Sequence, residues 1–190
     1  MDPQVIHITG ASGSGTSTLG RAIAARHGYK WLDSDAFIWQ PTDPPYTQLR
    51  PRELRAALLA EALAQHPRCV ISGSLCGWGD AFLPRFERII WLQAPTQLRL
   101  ERLRKRELEE IGPWILPGGD MHKNHVEFLD WAGRYDTGDE SMRSYAAHER
   151  WLRGAACPVL VLDGTKPVEE LVNAAMEHVG TQGNASPTKV

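Results

Sequence analysis

This chain of 190 residues lacks the features that mark several large classes of protein. Its three cysteines, Cys69, Cys76 and Cys157, are odd in number and do not have the paired spacing of a zinc site. They argue against a disulfide framework and fit a reducing compartment. No apolar run is long enough to span a membrane, and no signal peptide precedes Val5. We therefore expect a cytoplasmic protein with no membrane partner.

The chain also lacks an excess of charge of either sign. Its net charge is −2, so nothing in the composition indicates a nucleic acid as partner. With 42% hydrophobic and 23% charged residues, the composition is typical of a globular protein. We expect one domain over residues 1–180 and a disordered tail over residues 181–190. Monomer and homodimer both remain open.

A third absence lies inside an otherwise complete motif. A strand-like apolar run over residues 5–9 leads into the pattern G-x-x-x-x-G-K-[ST], in which Thr16 stands in place of the lysine. Glycines in this pattern let successive backbone N–H groups turn toward phosphate oxygens, and the following helix adds its positive end. Ser17 stands where a hydroxyl ligand of Mg²⁺ belongs. A Gly/Ser-rich turn opening an ordinary βαβ unit is the alternative. The expected nucleotide-binding residues here are Gly10, Ser12, Gly13, Ser14, Gly15, Thr16, Ser17 and Thr18.

Short apolar runs alternate with helical patterns along the chain. This alternation predicts an α/β fold with a five-stranded parallel sheet flanked by helices. The expected strands cover residues 5–9, 29–32, 69–72, 88–92 and 159–162, and the expected helices cover residues 16–27, 51–65, 95–110 and 167–179.

The stretch over about residues 111–153 breaks this rhythm. It contains Gly112-Pro113-Trp114 and no strand pattern, and it ends in an expected helix over residues 139–153. An insertion of loops and helices between strands 4 and 5 is the natural place for a lid that closes over phosphates.

The strand–loop–helix start, an arginine-rich helix after strand 4, a lid and a fifth strand ending in Asp163-Gly164-Thr165 together resemble the small P-loop kinases. These include nucleoside monophosphate kinases, shikimate- and gluconate-kinase-like enzymes and adenylate-kinase-like P-loop proteins. The Gly-Ser-Gly-Thr-Ser-Thr segment is also similar to that of archaeal-type cytidylate kinases, which carry Gly-Thr-Thr-Thr there. The resemblance implies ATP and Mg²⁺ as cofactors and a kinase that phosphorylates a nucleotide or another small molecule. A nucleotide-binding sensor or partner-binding protein that transfers no phosphate, or a simple NTPase, is the alternative.

Two carboxylates, Asp33 and Asp35, follow the second strand. In an extended segment they would point the same way, so that one accepts a hydroxyl proton and the other, Asp35 in our assignment, holds Mg²⁺ through water together with Ser17. Shikimate-kinase-like enzymes have a similar Asp-x-Asp, which favours a hydroxyl acceptor. The alternative is a turn that caps the next segment.

Arg102 and Arg106 share one helix face. The resemblance implies that one stacks on adenine and the other contacts phosphates, with Gly164 and Thr165 on the other side of the adenine. Because Arg99, Arg104 and Lys105 are nearby, a solvated basic helix is the alternative. The charge missing at Thr16 would come from one of three arginines, namely Arg106, Arg134 and Arg143.

The acceptor is expected near Trp39 and the glycine-rich loop over residues 73–80. Within that loop, Asp80 is interpreted as the cap of a following short helix. His122, His125 and His148 have no completing carboxylate or thiol, so a zinc site is not expected.

Overall fold

The computed structural model describes residues 4–177. Five parallel strands form one sheet in the order β2-β3-β1-β4-β5. The strands are β1 Gln4–Gly10, β2 Lys30–Asp33, β3 Arg68–Ser72, β4 Arg88–Gln93 and β5 Val159–Asp163. This confirms the fold class that the sequence predicted.

Seven α-helices connect and cover these strands within the described residues. They are α1 Thr16–His27, α2 Ser34–Ile38, α3 Arg52–Gln65, α4 Thr96–Glu110, α5 His122–Gly133, α6 Tyr145–Leu152 and α7 Val168–Glu177. Two 3₁₀ helices, Asp80–Arg85 and Gly112–Ile115, lie between them. None of the helices over residues 4–177 has the length and apolar character needed to cross a membrane.

The three central strands, β1, β3 and β4, are buried on both faces, as strands of parallel sheets are, whereas the edge strand β5 is partly exposed. Side chains of β1 alternate between the two faces: Val5 packs with Leu59 of α3, whereas Ile6 and Ile8 pack with Leu19 of α1. The strand order reverses around β1, which has β3 on one side and β4 on the other. Open α/β sheets bind ligands at such a switch point, at the carboxyl ends of the strands, and the motif of residues 10–18 lies there.

Two local expectations were wrong. Asp33 ends β2 but Asp35 lies in α2, so the two do not share an extended segment. Asp33 is the N-cap of α2, and its side chain accepts a hydrogen bond from the Asp35 backbone N–H at 3.1 Å. The helix expected over residues 139–153 begins only at Tyr145. Asp139 instead accepts hydrogen bonds from Ser141, and Ser144 caps α6 by accepting from the Ala147 N–H. We call residues 111–153 the insertion. Within the insertion, helix α5 was not predicted from the sequence; it packs against α4, which precedes the insertion.

The expected tail over residues 181–190 and the expected helix end at residue 179 lie outside the described residues.

Candidate active site

Residues 10–18, the P-loop, run from the end of β1 into the first turn of α1. Gly13 and Gly15 have φ values of 81° and 103°, in the left-handed region that favours glycine. Gly15 is the N-cap of α1, and no side chain caps the helix. The N–H groups of the first turn are therefore available to an anion, and the helix dipole favours one there.

Close packing also explains the first two glycines of the loop. A Cβ at Gly10 would collide with the Leu92 carbonyl oxygen, and one at Gly13 would lie 2.5 Å from the Arg99 carbonyl oxygen. At Gly15 the nearest atoms would be 3.6 Å away or more, so its backbone conformation is what favours glycine there.

The hydroxyl side chains of the loop differ in their surroundings. Thr16 and Ser17 line a cavity, as Ser12 does, whereas Ser14 is buried and Thr18 is exposed on α1. No partner among residues 4–177 hydrogen-bonds the Ser14 Oγ. Ser17 therefore faces the cavity, and its role as a ligand of Mg²⁺ stays a prediction.

The cavity has a volume of about 630 Å³ and extends from the P-loop to the ends of β2 and β3 and to the insertion. Its charged walls combine four carboxylates with three arginines: Asp33, Asp35, Glu107 and Glu127, and Arg55, Arg106 and Arg143. Aromatic side chains make up much of the remainder: Trp39, Tyr46, Trp78, Phe128 and Trp131.

The two aspartates differ in their environment. Burial raises the pKa of the Asp33 carboxyl, and the neighbouring charge of Asp35 raises it further, against the lowering effects of the Asp35 backbone N–H and of Arg21 and Arg106. One oxygen of Asp33 is committed to capping α2, while Asp35 lies in the first turn of that helix. The capping alternative therefore holds for Asp33, and its catalytic role stays a prediction.

Arg143 is the arginine that contacts the P-loop from the insertion. Its Nη1 donates to the Ser12 Oγ at 3.4 Å, and its guanidinium lies 5.4 Å from the centre of the Trp131 ring. Burial lowers the pKa of the Arg143 guanidinium, while the negative charge of Asp35 opposes that shift. The other two candidates pair with helical neighbours: Arg106 lies 3.8 Å from Glu110 and Arg134 lies 3.3 Å from Asp130.

Arg102 joins the P-loop to the loop after β5. Its Nη1 donates to the carbonyl oxygens of Ser14 at 3.4 Å and Gly164 at 3.1 Å. A Cβ at Gly164 would lie 2.6 Å from the Ser14 carbonyl oxygen, and Asp163 accepts a hydrogen bond from the Thr165 N–H at 2.9 Å. The contact of Arg102, Gly164 and Thr165 with adenine stays a prediction.

Arg99 is a residue that sequence reasoning missed. The alternative of a solvated basic helix grouped it with Arg104 and Lys105, yet its side chain is fully buried. Its partners in the P-loop and the insertion lie 33 or more residues away, so no local pattern could have found them.

A buried polar network around His148 was also missed. Its ring nitrogens contact the hydroxyls of Ser74 and Tyr135, each at 2.7 Å, and that of Thr9 at 3.4 Å. Burial lowers the pKa of His148 to about 3, with a smaller contribution from the charge of Arg143, so the ring is neutral. The network connects the insertion to the loop that follows β3.

The other histidines of interest and Asp80 have structural contacts. His122 Nδ1 lies 2.8 Å from the Ile115 carbonyl oxygen, and His125 pairs with Glu107. The expectation that Asp80 caps a helix was wrong: its carboxylate instead accepts a hydrogen bond from the Trp151 indole at 2.6 Å, and Gly79 is the N-cap.

Comparison with known proteins connects this geometry to a family. Residues 6–128 match the family described as AAA domain. The chain is 38% identical to uncharacterized protein YqaC of Bacillus subtilis, over 93% of this chain and 97% of that protein. It is 32% identical to the cytidylate kinase of Pyrococcus horikoshii, over 99% of this chain and 96% of the kinase. With the shikimate kinase of Gloeobacter violaceus it shares 30% identity, over 84% of this chain and 89% of the kinase.

Solved structures agree on the fold. The shikimate kinase of Bacteroides thetaiotaomicron superposes with a TM-score of 0.58 at 18% identity, covering 92% of this chain and 97% of that one. A gluconokinase from Sinorhizobium meliloti gives a TM-score of 0.53 at 21% identity, covering 92% and 90%. The resemblance seen in the sequence is confirmed: the chain belongs to the AAA-domain family and, with these relatives, to the superfamily of small P-loop kinases.

Proposed function

We propose that this protein is an ATP-dependent phosphotransferase that phosphorylates a hydroxyl group of a small molecule. One observation carries the proposal: a single cavity is lined by the P-loop, by both aspartates and by Arg143. Phosphoryl transfer needs a positioned donor, a positioned acceptor and charge neutralisation rather than covalent chemistry, and these residues would supply each of them.

The donor end would hold ATP through the N–H groups of residues 12–17. The left-handed glycines and the uncapped start of α1 fit a polyphosphate. Ser17 and, through water, Asp35 would hold Mg²⁺, which neutralises phosphate charge when bound. Adenine would lie by Arg102 and the loop of Gly164 and Thr165.

At the acceptor end, Asp33 would take the proton of the attacking hydroxyl. Its raised pKa brings it nearer the operating range of a general base, and its hydrogen bond to the Asp35 N–H fixes its orientation. Trp39, Tyr46 and Trp78 offer apolar surface for the acceptor's carbon skeleton.

Arg143 would provide the charge that a lysine at position 16 provides elsewhere. Its guanidinium already contacts Ser12, one of the residues expected to cradle phosphate. Arg106, which also lines the cavity, is the second candidate for this charge. The insertion would thus act as the lid, bringing charge as well as excluding water.

The threonine at position 16 favours one rival, a nucleotide-binding sensor without transfer, and leaves a simple NTPase as another. A coupled assay of ADP release with Mg-ATP distinguishes these functions from a kinase. The candidate acceptors to be tested are nucleosides, nucleotides, polyols and hydroxy acids. Acceptor-dependent ADP is expected. ADP released without an acceptor would indicate an NTPase, and binding without turnover would indicate a sensor.

The roles of the two aspartates can be tested in the same assay by replacing each with asparagine. Asp33→Asn and Asp35→Asn should each lower kcat by about 10²-fold or more, the range for a positioned proton acceptor. Asp130→Asn, on the exposed surface of α5, is the matched control and should leave kcat unchanged. Full turnover in both cavity variants would remove the aspartates from the mechanism.

A further inference from the structure

The side chain of Arg99 is fully buried at the start of α4, which is unusual for an arginine. Two local contacts fix its guanidinium: Nε donates to the Ala94 carbonyl oxygen at 3.0 Å and Nη2 to the Thr96 Oγ1 at 2.9 Å. Because a buried charge is costly unless it is paired and hydrogen-bonded, its remaining partners indicate why it is there.

One set of partners is the P-loop. The Arg99 Nη1 lies 3.4 Å from the Ser12 carbonyl oxygen. The Arg99 carbonyl oxygen is the atom that a Cβ at Gly13 would approach to 2.5 Å. Backbone and side chain of one residue therefore both pack against residues 12 and 13.

The second set of partners is the insertion. The Arg99 Nη1 also donates to the Ala132 carbonyl oxygen at 3.1 Å, and Nη2 pairs with the Asp136 carboxylate at 3.0 Å. The Tyr135 ring centre lies 5.2 Å from the guanidinium carbon. The planar, forked guanidinium makes these contacts at once, which an ammonium group at the end of a lysine cannot reproduce.

Ser12 is consequently held by two arginines. Arg99 donates to its carbonyl oxygen, and Arg143 of the insertion donates to its hydroxyl. We propose that Arg99 is a positioning residue for phosphoryl transfer: it fixes the insertion against Ser12 and so places the guanidinium of Arg143. The proposal rests on the proposed function for its kinetic consequence. Arg99 itself, being fully buried, touches neither nucleotide nor acceptor.

The test is a double-mutant cycle between Arg99→Met and Arg143→Ala, with kcat and KM for ATP measured separately. Arg99→Met should lower kcat by about 10²-fold, the effect of a small misplacement, while KM changes much less. In the double variant, kcat should fall little below that of Arg143→Ala alone, because the first residue acts through the second. Arg104→Met, at an exposed position of the same helix, is the control and should keep wild-type kinetics.

The proposal would be overturned if the loss of kcat in the double variant equalled the product of the losses in the two single variants. It would also be overturned by an Arg99→Met variant as active as the Arg104→Met control. If Arg99→Met does not fold, Asp136→Asn provides the second route. It keeps the buried arginine and removes the half-exposed carboxylate that holds it. Asp136→Asn should show the same loss in kcat with little change in KM. Combined with Arg143→Ala, it should lower kcat little below that of Arg143→Ala alone. An unchanged kcat in Asp136→Asn would contradict the proposal.

Binding separates this proposal from the proposed function. Arg99→Met should weaken binding of inorganic tripolyphosphate no more than Arg143→Ala does, with no further weakening in the double variant. If that holds while the wild-type protein shows no acceptor-dependent turnover, the proposed function fails and the positioning role stands. If turnover is present but the two losses are independent in both assays, the positioning role fails and the function stands.

Discussion

The P-loop and the insertion contribute to one cavity by different means. The P-loop is built from backbone: two left-handed glycines and an uncapped helix start present N–H groups, and within residues 10–18 there is no charged side chain. The insertion contributes side chains to the cavity, and their positions depend on the contacts that Arg143, Tyr135 and His148 make in the folded protein. A backbone site is specified by a few neighbouring residues, whereas a side-chain site is specified by contacts across the whole chain.

The largest expected effect concerns the positive charge, which the P-loop lacks and which we propose the insertion supplies through Arg143. Arg143→Ala should lower kcat by about 10³-fold, by analogy with arginines that stabilise the transition-state charge in phosphoryl transfer. Thr16→Lys should change the parent enzyme little but should partly restore the Arg143→Ala variant, because it returns a cation to the P-loop. The measurement is kcat for both single variants and the double.

Arg134→Ala is the matched control from the same insertion, since that arginine is exposed and paired with Asp130. If kcat is unchanged in Arg143→Ala and Thr16→Lys alone gains activity, the insertion does not supply the charge that the P-loop lacks. The parent would then be a degenerate kinase, and the sensor interpretation would replace ours.

A second test addresses the backbone character of the P-loop. Gly13→Ala should cost about 3 kcal/mol in the free energy of unfolding and abolish nucleotide binding, because the new Cβ adds a collision with the Arg99 carbonyl oxygen to the left-handed strain. Gly28→Ala is the control: its φ is 70° but nothing lies within 4 Å of the new Cβ, so about 1 kcal/mol is expected. Chemical denaturation and titration with Mg-ATP measure both quantities, and equal effects at the two glycines would show that packing under the P-loop is unimportant.

The smallest test concerns pH and one histidine from each region. His7 lies on β1, the strand that leads into the P-loop, and burial lowers its pKa to about 3, as it does for His148 of the insertion. Both rings are neutral in the fold, whereas the unfolded chain takes up these protons near the ordinary pKa of 6.5. Stability is therefore full above pH 6.5 and falls as the pH decreases toward 3, by about 1.4 kcal/mol per pH unit for each histidine.

Denaturation midpoints at pH 7.5 and pH 5.5 check this slope. His7→Phe should remove about half of the pH dependence and leave the half that belongs to His148. Phe86→Leu is the control, because it removes the ring stacked on His7 without removing a titrating group, and it should lower stability equally at both values. A His7→Phe variant with the full wild-type slope would assign the pH dependence to other groups.

The sequence was sufficient for the sheet and for the P-loop. Apolar runs, helix periodicity and glycine spacing are local signals, and each predicted strand was found within two residues of its expected ends. Arg99 could not be assigned, because its partners Ala132 and Asp136 are 33 and 37 residues away, and because Arg104 and Lys105, with which the sequence grouped it, are exposed. The start of α6 was misplaced for a local reason: Asp139 and Ser144 form turn and cap hydrogen bonds that interrupt the expected helix.

The position of β1 in the sheet has a consequence for how the protein is made. In the order of synthesis β1 precedes both of its neighbours in the sheet, β3 and β4, and Arg143 follows Ser12 by 131 residues. Parallel pairing of this kind must wait for distant segments, which makes such sheets slow to fold. A nascent chain therefore carries the residues of the P-loop long before it carries Arg143, and the contact between Ser12 and Arg143 can form only after most of the chain has been made.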